Sequence, residues 1–413
     1  MEQIALLQQL FLWSALVYWV SGFLLLWRIP AVGSVRDSFV DQEGRIDPGV
    51  FSSAKRAAEN SAVEAMSIVI PARNEAGNIG VLLESLTAQQ SRPLEVIVVD
   101  DQSGDGTAEI VWQYTAEAGW IRVISAAQRP EGWTGKNWSC HCGAAEAKGS
   151  LILFLDADTR LEAADALERL AAEHSRRGGM VSVQPYHRIH KLYEQLSGFF
   201  NLIVMVGSGA FDLWSRSGEA DGCFGPCILM NRIEYTAVGG HAAVRGEVVD
   251  DLALCGLFRR HGLAVHCFGG RGLISFRMYP GGLRSLIEGW TKNMAMGASL
   301  SKVRNIILLV IWFTGISNAL LAVAVSGGAA AVAVWSLLAA AVYVLYAVQV
   351  YIQLRRVGSF SFGAALLFPL EFFFFVGVFV YSIIRTKVFR SVTWKGRRIP
   401  IEKLHGNSRG ATE

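Results

Sequence analysis

Residues 94–107 read Leu-Glu-Val-Ile-Val-Val-Asp-Asp-Gln-Ser-Gly-Asp-Gly-Thr. The apolar run through Val99 predicts a strand, two carboxylates follow where it stops, and a helix is predicted from Thr107. The same order recurs where the apolar run Leu151–Leu155 is followed by Asp156-Ala157-Asp158. Because ligands of an open α/β sheet bind outside the carboxyl ends of its strands, these acids mark one sheet edge as the predicted site.

The surrounding chain alternates strands with helices. The other predicted strands are Met66–Ala72 and Ile121–Ile124, and the other predicted helices are Gly77–Gln90 and Asn137–Lys148. This alternation is typical of a Rossmann-like α/β domain with a mostly parallel sheet and crossover helices.

The chain is rich in apolar residues, and the excess lies at its two ends. Of 413 residues, 52% are hydrophobic, and the mean hydropathy is +0.33. Ile4–Trp27 is nearly uncharged and long enough to cross a hydrocarbon layer of about 30 Å. It lacks a basic leading region, so we interpret it as a retained anchor and not as a signal peptide. The net charge of +3, without a basic run interleaved with aromatics, argues against a nucleic-acid partner.

Three apolar segments near the C-terminus predict a membrane region: about Ile306–Val325, Ala329–Val350 and Phe362–Ile384. The last contains Pro369 and Glu371, which favours a kinked or re-entrant segment. Two crossings plus a re-entrant segment would also keep the basic C-terminal tail on the same side as the polar centre, as the positive-inside rule requires.

These patterns predict an integral membrane protein of five parts. The parts are a transmembrane anchor (1–30), a linker (31–65), the α/β domain (66–300), a transmembrane region (301–390) and a basic cytoplasmic tail (391–413). Arginines after the anchor place the α/β domain in the cytoplasm. The six cysteines fit a reducing compartment, and their spacing does not match paired zinc ligands.

Two acidic clusters and a polar turn suggest the chemistry. Asp156 and Asp158 follow a buried strand, where unpaired carboxylates are costly, so Mg²⁺ or Mn²⁺ bound between them and a diphosphate is the favoured interpretation. Asp100 and Asp101 suit hydrogen bonds from a nucleoside, although the same residues could cap a helix. The turn after the first strand would form a lip for a nucleotide base; its residues are Pro71, Arg73, Asn74 and Glu75.

Taken in order, these motifs resemble family 2 inverting glycosyltransferases of the GT-A fold. The resemblance rests on Ile68–Pro71, Val99–Thr107, Gly135-Lys136-Asn137 and Leu155–Asp158. It implies a UDP-sugar donor, nucleoside contacts from Asp100 and Asp101, metal binding by Asp158, and ribose or metal binding by Asp156. It also implies that Lys136 approaches the diphosphate, which its charge suits, although a solvated surface lysine is the alternative.

Gly246–Leu252 resembles the acidic motif of this family, whose second acid is the general base. That position is Asp251, and Asp250 stands where the family usually has Glu. An inverting transfer needs one base to take the proton of the acceptor while the nucleotide leaves from the opposite face of the sugar. The alternative is a helix cap for Leu252–Arg260.

Less general strings resemble the carotenoid-acid glucosyltransferases of bacteria; they include Gly132–Trp138, Ser182–His187, Tyr193–Leu196, Arg277–Pro280 and Glu288–Asn293. They imply UDP-glucose as donor, a lipophilic acid or alcohol as acceptor, and contact with membrane lipids. Trp290, Trp394 and Arg397 are candidates for the acceptor or product side, although Trp290 could be a core residue and the other two part of a basic membrane-surface tail.

Two other functions compete with this interpretation. A processive polysaccharide synthase carries Gln-x-x-Arg-Trp, whereas residues 286–290 read Leu-Ile-Glu-Gly-Trp and lack both the Gln and the Arg. An inactive membrane scaffold with this fold would be free to lose its acids, which are intact here. The sequence therefore favours a single transfer.

Overall fold

The structure is a computed structural model that describes residues 2–33, 59–215, 218–247, 249–297, 302–326, 333–387, 391–394 and 397–400. They form two compact units, each built from separated parts of the chain. The sheet unit lies within residues 30–186 and 217–277, and the helical unit within residues 1–29, 187–216 and 278–401.

The sheet unit is organised around a seven-stranded sheet. Its strands are β1 (Met66–Ala72), β2 (Glu95–Asp100), β3 (Ile121–Ser125), β4 (Leu151–Leu155), β6 (Met180–Gln184), β8 (Cys227–Asn231) and β9 (Val265–Gly269). Their order is β3-β2-β1-β4-β8-β6-β9. Strand β8 is antiparallel to both neighbours and the other pairs are parallel, so the predicted mostly parallel sheet is confirmed. Three shorter strands are β5 (Thr159–Leu161), β7 (Tyr186–His187) and β10 (Ile274–Phe276).

Helices cover this sheet and bury their apolar sides against it. They are α2 (Ile79–Thr87), α3 (Thr107–Glu117), α4 (Gly135–Glu146), α5 (Ala166–Arg177), α7 (Arg232–Ala237), α8 (Gly240–Ala243) and α9 (Asp250–Arg260). The register pairs Ala72 with Asp100 and Val69 with Phe154. The carboxyl ends of β1, β2 and β4 therefore lie side by side, and the acidic motifs follow two of them.

The helical unit contains the apolar ends of the chain. Its elements are α1 (Glu2–Leu25), a 3-10 helix (Leu192–Ser197), α6 (Gly198–Gly207), α10 (Leu283–Gly297), α11 (Val303–Ser326), α12 (Ala333–Val357), α13 (Phe362–Leu366), α14 (Phe368–Lys387), β11 (Ser391–Trp394) and β12 (Arg397–Pro400). Within the described residues, four helical segments are long and apolar enough to cross a membrane: Leu6–Leu25, Val303–Val325, Val334–Val357 and Phe368–Lys387.

The last apolar segment is more regular than the sequence suggested. Helix α14 runs for 20 residues, and Pro369 stands in its first turn, where a missing N–H group is tolerated. The helical conformation is interrupted at Leu367, between α13 and α14. The segment is thus long enough for a crossing of its own, whereas the sequence favoured a re-entrant one; the number of crossings stays a prediction.

Two segments that the sequence placed in the α/β domain belong to the helical unit. They are residues 187–216 and 278–297. Their large apolar side chains are buried within that unit; Phe199, Phe200, Leu286 and Trp290 are each at most 1% exposed. The parts of the sheet unit are therefore not contiguous in the chain.

Candidate functional site

A small cavity lies at the carboxyl edge of the sheet unit. Four charged side chains line it: Lys136 from α4, Asp156 after β4, and Asp250 and Asp251 from the first turn of α9. The other lining residues are Pro71, Cys140, Phe154, Gly225, Ile228, His241 and Leu254. The structure thus brings together acids and a cation from motifs far apart in the sequence.

Lys136 and Asp156 form an ion pair, with 2.7 Å between Nζ and Oδ1. Thr134 fixes the start of α4, because its hydroxyl accepts a hydrogen bond from the N–H of Asn137. Burial opposes the charge of Lys136, but the carboxylates of Asp156 and Asp250 outweigh burial and raise the pKa of Lys136 well above its usual value. A lasting positive charge here suits the phosphates of a nucleotide.

The turn after β4 holds the two acids predicted to bind a metal. The N–H of Asp156 donates to the carbonyl of Pro226 at 3.0 Å, and the carbonyl of Asp156 accepts from Thr159 at 3.1 Å. Asp158 is half-buried two residues further on. No group of three or more potential metal ligands occurs in the described part of the chain. Carboxylate oxygens are ligands that Mg²⁺ and Mn²⁺ take together with phosphate oxygens and water; metal binding by Asp156 and Asp158 stays a prediction.

Asp251 is held by backbone groups. Its Oδ2 accepts a hydrogen bond from the N–H of Gly225 at 2.8 Å, and its Oδ1 accepts one from the N–H of Leu252 at 2.9 Å. Burial, helped by repulsion from Asp250, raises the pKa of Asp251 to about 6. A carboxylate with this pKa can accept a proton near neutral pH, which is what a general base requires.

Asp100 and Asp101 lie at the end of β2. Asp101 pairs with Arg73 at 2.9 Å between Oδ2 and Nη1. The Oδ2 of Asp100 accepts from the N–H of Ser103 at 3.2 Å, whereas its Oδ1 is buried without a hydrogen-bond partner. A buried carboxylate oxygen without a partner is costly, so Asp100 is suited to receive a donor group from a ligand.

The predicted lip is a turn held by hydrogen bonds. Asn74 has a positive φ of 53°, and its side-chain oxygen accepts a hydrogen bond from the N–H of Gly104 at 3.0 Å. The N–H of Glu75 donates to the hydroxyl of Thr107 at 2.9 Å. These bonds join the turn after β1 to the turn after β2, and Pro71 of β1 lines the cavity.

Sequence analysis missed two buried polar residues of the site. The side-chain amide of Asn137 donates to the carbonyls of Val244 and Glu247 at 2.8 and 3.0 Å, which ties α4 to the loop before α9. His241 lines the cavity, with its Nε2 at 3.8 Å from Oδ2 of Asp250. Asn137 stands inside a motif that we quoted, but only its tertiary partners reveal its role. His241 belongs to no motif, so no signal in the sequence marks it.

The other candidates lie in the helical unit. Trp290 is buried and stacks on Phe200, with 4.8 Å between ring centroids, and its indole N–H donates to the Ser197 hydroxyl at 3.0 Å. Trp394 and Arg397 belong to β11 and β12, and their side chains lie outside what the structure describes. Roles for these three residues stay predictions.

Comparison with known proteins identifies relatives of this chain. Glycosyl transferase family 2 matches residues 67–230. The 4,4'-diaponeurosporenoate glycosyltransferase of Staphylococcus haemolyticus is 34% identical over 83% of this chain and 91% of that protein. The 4,4'-diaponeurosporenoate glycosyltransferase of Staphylococcus aureus (strain USA300) is 35% identical over 82% of this chain and 89% of that protein.

A solved structure supports the fold. The mannosyltransferase PcManGT of Pyrobaculum calidifontis, solved with GDP-Man and Mn²⁺, is 16% identical and aligns with a TM-score of 0.51, covering 94% of this chain and 99% of that one. This likeness concerns the fold. With the family match, it confirms the predicted GT-A fold.

Proposed function

This chain belongs to glycosyl transferase family 2, and we propose that it moves a hexose from a UDP-sugar to a lipophilic acceptor. UDP-glucose is the proposed donor, and a long apolar acid such as a carotenoid acid is the proposed acceptor. The names of the two staphylococcal relatives support such an acceptor. The observation that carries the proposal is the meeting of Lys136, Asp156, Asp250 and Asp251 in one cavity.

The donor side of the proposed mechanism binds the nucleotide. Asp100 and Asp101 would hold the nucleoside, with the turn Pro71–Glu75 against the base. Lys136 would contact the diphosphate, while Asp156 and Asp158 would hold Mg²⁺ or Mn²⁺. A bound metal would neutralise charge on the departing diphosphate. Lys136 is paired with Asp156, and the phosphates would supply a second anionic partner.

The acceptor side supplies the base. Asp251 would take the proton of the acceptor as the acceptor oxygen bonds to the anomeric carbon and the bond from that carbon to the diphosphate breaks. UDP leaves from the opposite face, so the anomeric configuration inverts. A pKa of about 6 leaves Asp251 mostly ionised at neutral pH, and Asp250 is the alternative base.

We place the protein in a bacterial cell membrane, with the sheet unit on the cytoplasmic side. Four apolar helices support membrane insertion, and the arginines that follow α1 support the orientation. Membrane insertion would bring the enzyme to an acceptor dissolved in lipid. Trp290, Trp394 and Arg397 are proposed for the acceptor or product side.

The proposal is tested by incubating membranes that contain the chain with radiolabelled UDP-glucose, Mn²⁺ and a bacterial lipid extract containing carotenoid acids. We expect label in the organic phase, and none with Asp158→Ala. Asp165→Ala is the matched control, because Asp165 is half-exposed and pairs only loosely with Arg169, at 3.8 Å. It should keep full activity.

Other outcomes would change the proposal. Label in insoluble polymer would point to a polysaccharide synthase. Full activity of Asp158→Ala would remove the metal assignment. Absence of transfer from UDP-glucose calls for a panel of other UDP-sugars and GDP-mannose, and transfer from GDP-mannose alone would overturn the UDP assignment.

A further inference from the structure

A short loop before β8 contacts the candidate base at two points. It comprises residues 221–225, and we call it the 221–225 loop. The N–H of Gly225 donates to Oδ2 of Asp251 at 2.8 Å, and the thiol of Cys223 donates to the main-chain carbonyl of Asp251 at 3.1 Å. Gly225 also lines the cavity. The place of the Asp251 carboxylate therefore depends on what holds this loop.

Some of the groups that hold the loop are weak anchors. The carbonyl of Asp221 accepts from the thiol of Cys255 at 3.4 Å, and the carboxylate of Asp221 pairs with Arg259 at 2.9 Å. Thiols are weak hydrogen-bond donors. The side chain of Arg259 is 49% exposed, and ion pairs in contact with water contribute little. A firmer anchor is needed close to Gly225.

Ser182 of β6 provides that anchor. It is fully buried, with 0% of its surface exposed, and its hydroxyl bonds twice to Phe224. The oxygen accepts from the N–H of Phe224 at 2.7 Å and donates to the carbonyl of Phe224 at 3.0 Å. One hydroxyl thus holds both main-chain groups of the residue that precedes Gly225. Ser182 opens the string Ser182–His187, to which the mechanism above gives no part.

We propose that Ser182 is a positioning residue of the transfer reaction, which acts through Phe224 to hold the N–H of Gly225 against the carboxylate of Asp251. A base must stand within hydrogen-bond reach of the proton that it takes. A misplacement of about 1 Å in such a site can lower the rate on the order of a hundredfold. The inference rests on the proposed function, because it assigns Ser182 a part in the action of Asp251.

The competing explanation is that Ser182 serves only the stability of the sheet. A buried hydroxyl needs hydrogen-bond partners wherever it lies. Ser85 of α2 offers a matched control for this role, because it is also buried and bonded twice. Its hydroxyl donates to the carbonyl of Leu82 at 2.8 Å and accepts from the N–H of Leu161 at 3.1 Å. Ser85 does not line the cavity.

The first test compares Ser182→Ala, Ser182→Thr and Ser85→Ala in the full chain. Ser182→Ala removes both bonds to Phe224 and should lower kcat by about tenfold, while UDP binding stays as in wild type. Ser182→Thr keeps the hydroxyl and suits a strand, so it should retain most of kcat. Ser85→Ala should lower the temperature of unfolding as Ser182→Ala does, yet keep kcat. Initial rates of lipid labelling, UDP binding and thermal unfolding give the three readouts.

A second test combines Ser182→Ala with Gly225→Ala, whose added Cβ would lie 2.9 Å from Oδ2 of Asp251. If Ser182 acts through the N–H of Gly225, both changes disturb one contact. The double variant should then be little slower than Gly225→Ala alone. Independent roles would instead multiply the two losses of kcat.

The outcomes separate this inference from the function on which it rests. Losses that multiply in the double variant, beside an active wild type, would overturn the role of Ser182 alone, and so would a kcat of Ser182→Ala equal to that of Ser85→Ala. If Ser182→Ala does not fold, Ser182→Cys replaces it in both tests, because a thiol donates only weakly. If wild type binds UDP but transfers no sugar from any donor of the panel, both the function and the role of Ser182 fall.

Discussion

Asp250 and Asp251 are neighbours in the chain, yet their carboxylates have different surroundings. Asp251 accepts backbone hydrogen bonds from Gly225 and Leu252, while Asp250 faces the imidazole of His241. The main chain thus fixes the carboxylate of Asp251, whereas a side chain faces the carboxylate of Asp250. This division supports Asp251 as the base and Asp250 as the charge that tunes it.

The pH dependence of the reaction should report this pair. In wild type, kcat/KM should fall as the pH drops through about 6, because a protonated Asp251 cannot accept a proton, and kcat/KM reports groups of the free enzyme. Asp250→Asn should move this fall in kcat/KM to lower pH, since it removes a charge that repels the ionised Asp251. Lys136→Met should move it to higher pH, since it removes an attracting charge.

Initial rates of lipid labelling across a pH series, with one acceptor throughout, measure this prediction. Asp156 also repels the charge of Asp251 and is unchanged in both variants, so it cannot produce opposite shifts. If kcat/KM falls at the same pH in wild type and in both variants, another group limits the reaction at low pH.

We expect the position of the Asp251 carboxylate to require a glycine at residue 225. A Cβ on Gly225 would lie 2.9 Å from Oδ2 of Asp251, so Gly225→Ala should displace the carboxylate and lower kcat by about tenfold to a hundredfold. UDP binding should change little. Gly77→Ala is the control, because a Cβ there has no atom within 4 Å. Equal transfer rates in the two variants would show that the position of Asp251 is not critical.

At the scale of elements, α4 connects the fold to the site. It carries Lys136 and Asn137, and it lies close to the sheet because Gly143 faces β1 and β2. A Cβ on Gly143 would lie 2.4 Å from Cγ1 of Val69 and 2.9 Å from Cγ2 of Val99. The closeness of this helix to the strands therefore depends on one small residue.

We expect Gly143→Ala to lower the free energy of unfolding by about 1–3 kcal/mol, because it overpacks a filled core. UDP binding should weaken too, since any shift of α4 moves Lys136. Thermal unfolding in detergent, with and without UDP, measures both effects. Gly119→Ala is the matched control, with no atom within 4 Å of the added Cβ. A variant as stable as the control would show that α4 can move away freely.

The elements of the sheet could be predicted from the sequence because their cause is local. The apolar runs ending at Val99 and Leu155 are short, and polar turns bound them. The partners of His241 and Asn137 could not be predicted, because they depend on how α4, α8 and the loop before α9 meet. That residues 187–216 group with the helical unit could not be predicted for a related reason. Their composition is apolar in either unit, and only the tertiary contacts decide which core they join.

At the scale of the whole molecule, α1 and α12 meet in the helical unit although more than 300 residues separate them in the chain. Three residues of α12 donate side-chain hydrogen bonds to carbonyls of α1: Tyr346 to Ala15 at 2.8 Å, Gln349 to Trp19 at 2.6 Å, and Gln353 to Gly22 at 3.1 Å. All three donors are fully buried. Buried polar side chains between apolar helices specify which helices pair, so α1 is an integral part of this unit.

This contact predicts that α1 is retained and stabilising. Replacing Gln349 and Gln353 by Leu should lower stability by about 1 kcal/mol per residue and loosen α1, because two donors are lost from the interface. Val348→Leu is the control, since Val348 is 40% exposed on the same helix. Thermal unfolding in detergent measures stability, and intact mass shows whether the first 27 residues remain.

A mass that lacks them would establish a cleaved signal peptide and remove α1 from the mature fold. A retained segment, with a double variant as stable as the control, would mean that apolar packing alone holds α1 in place.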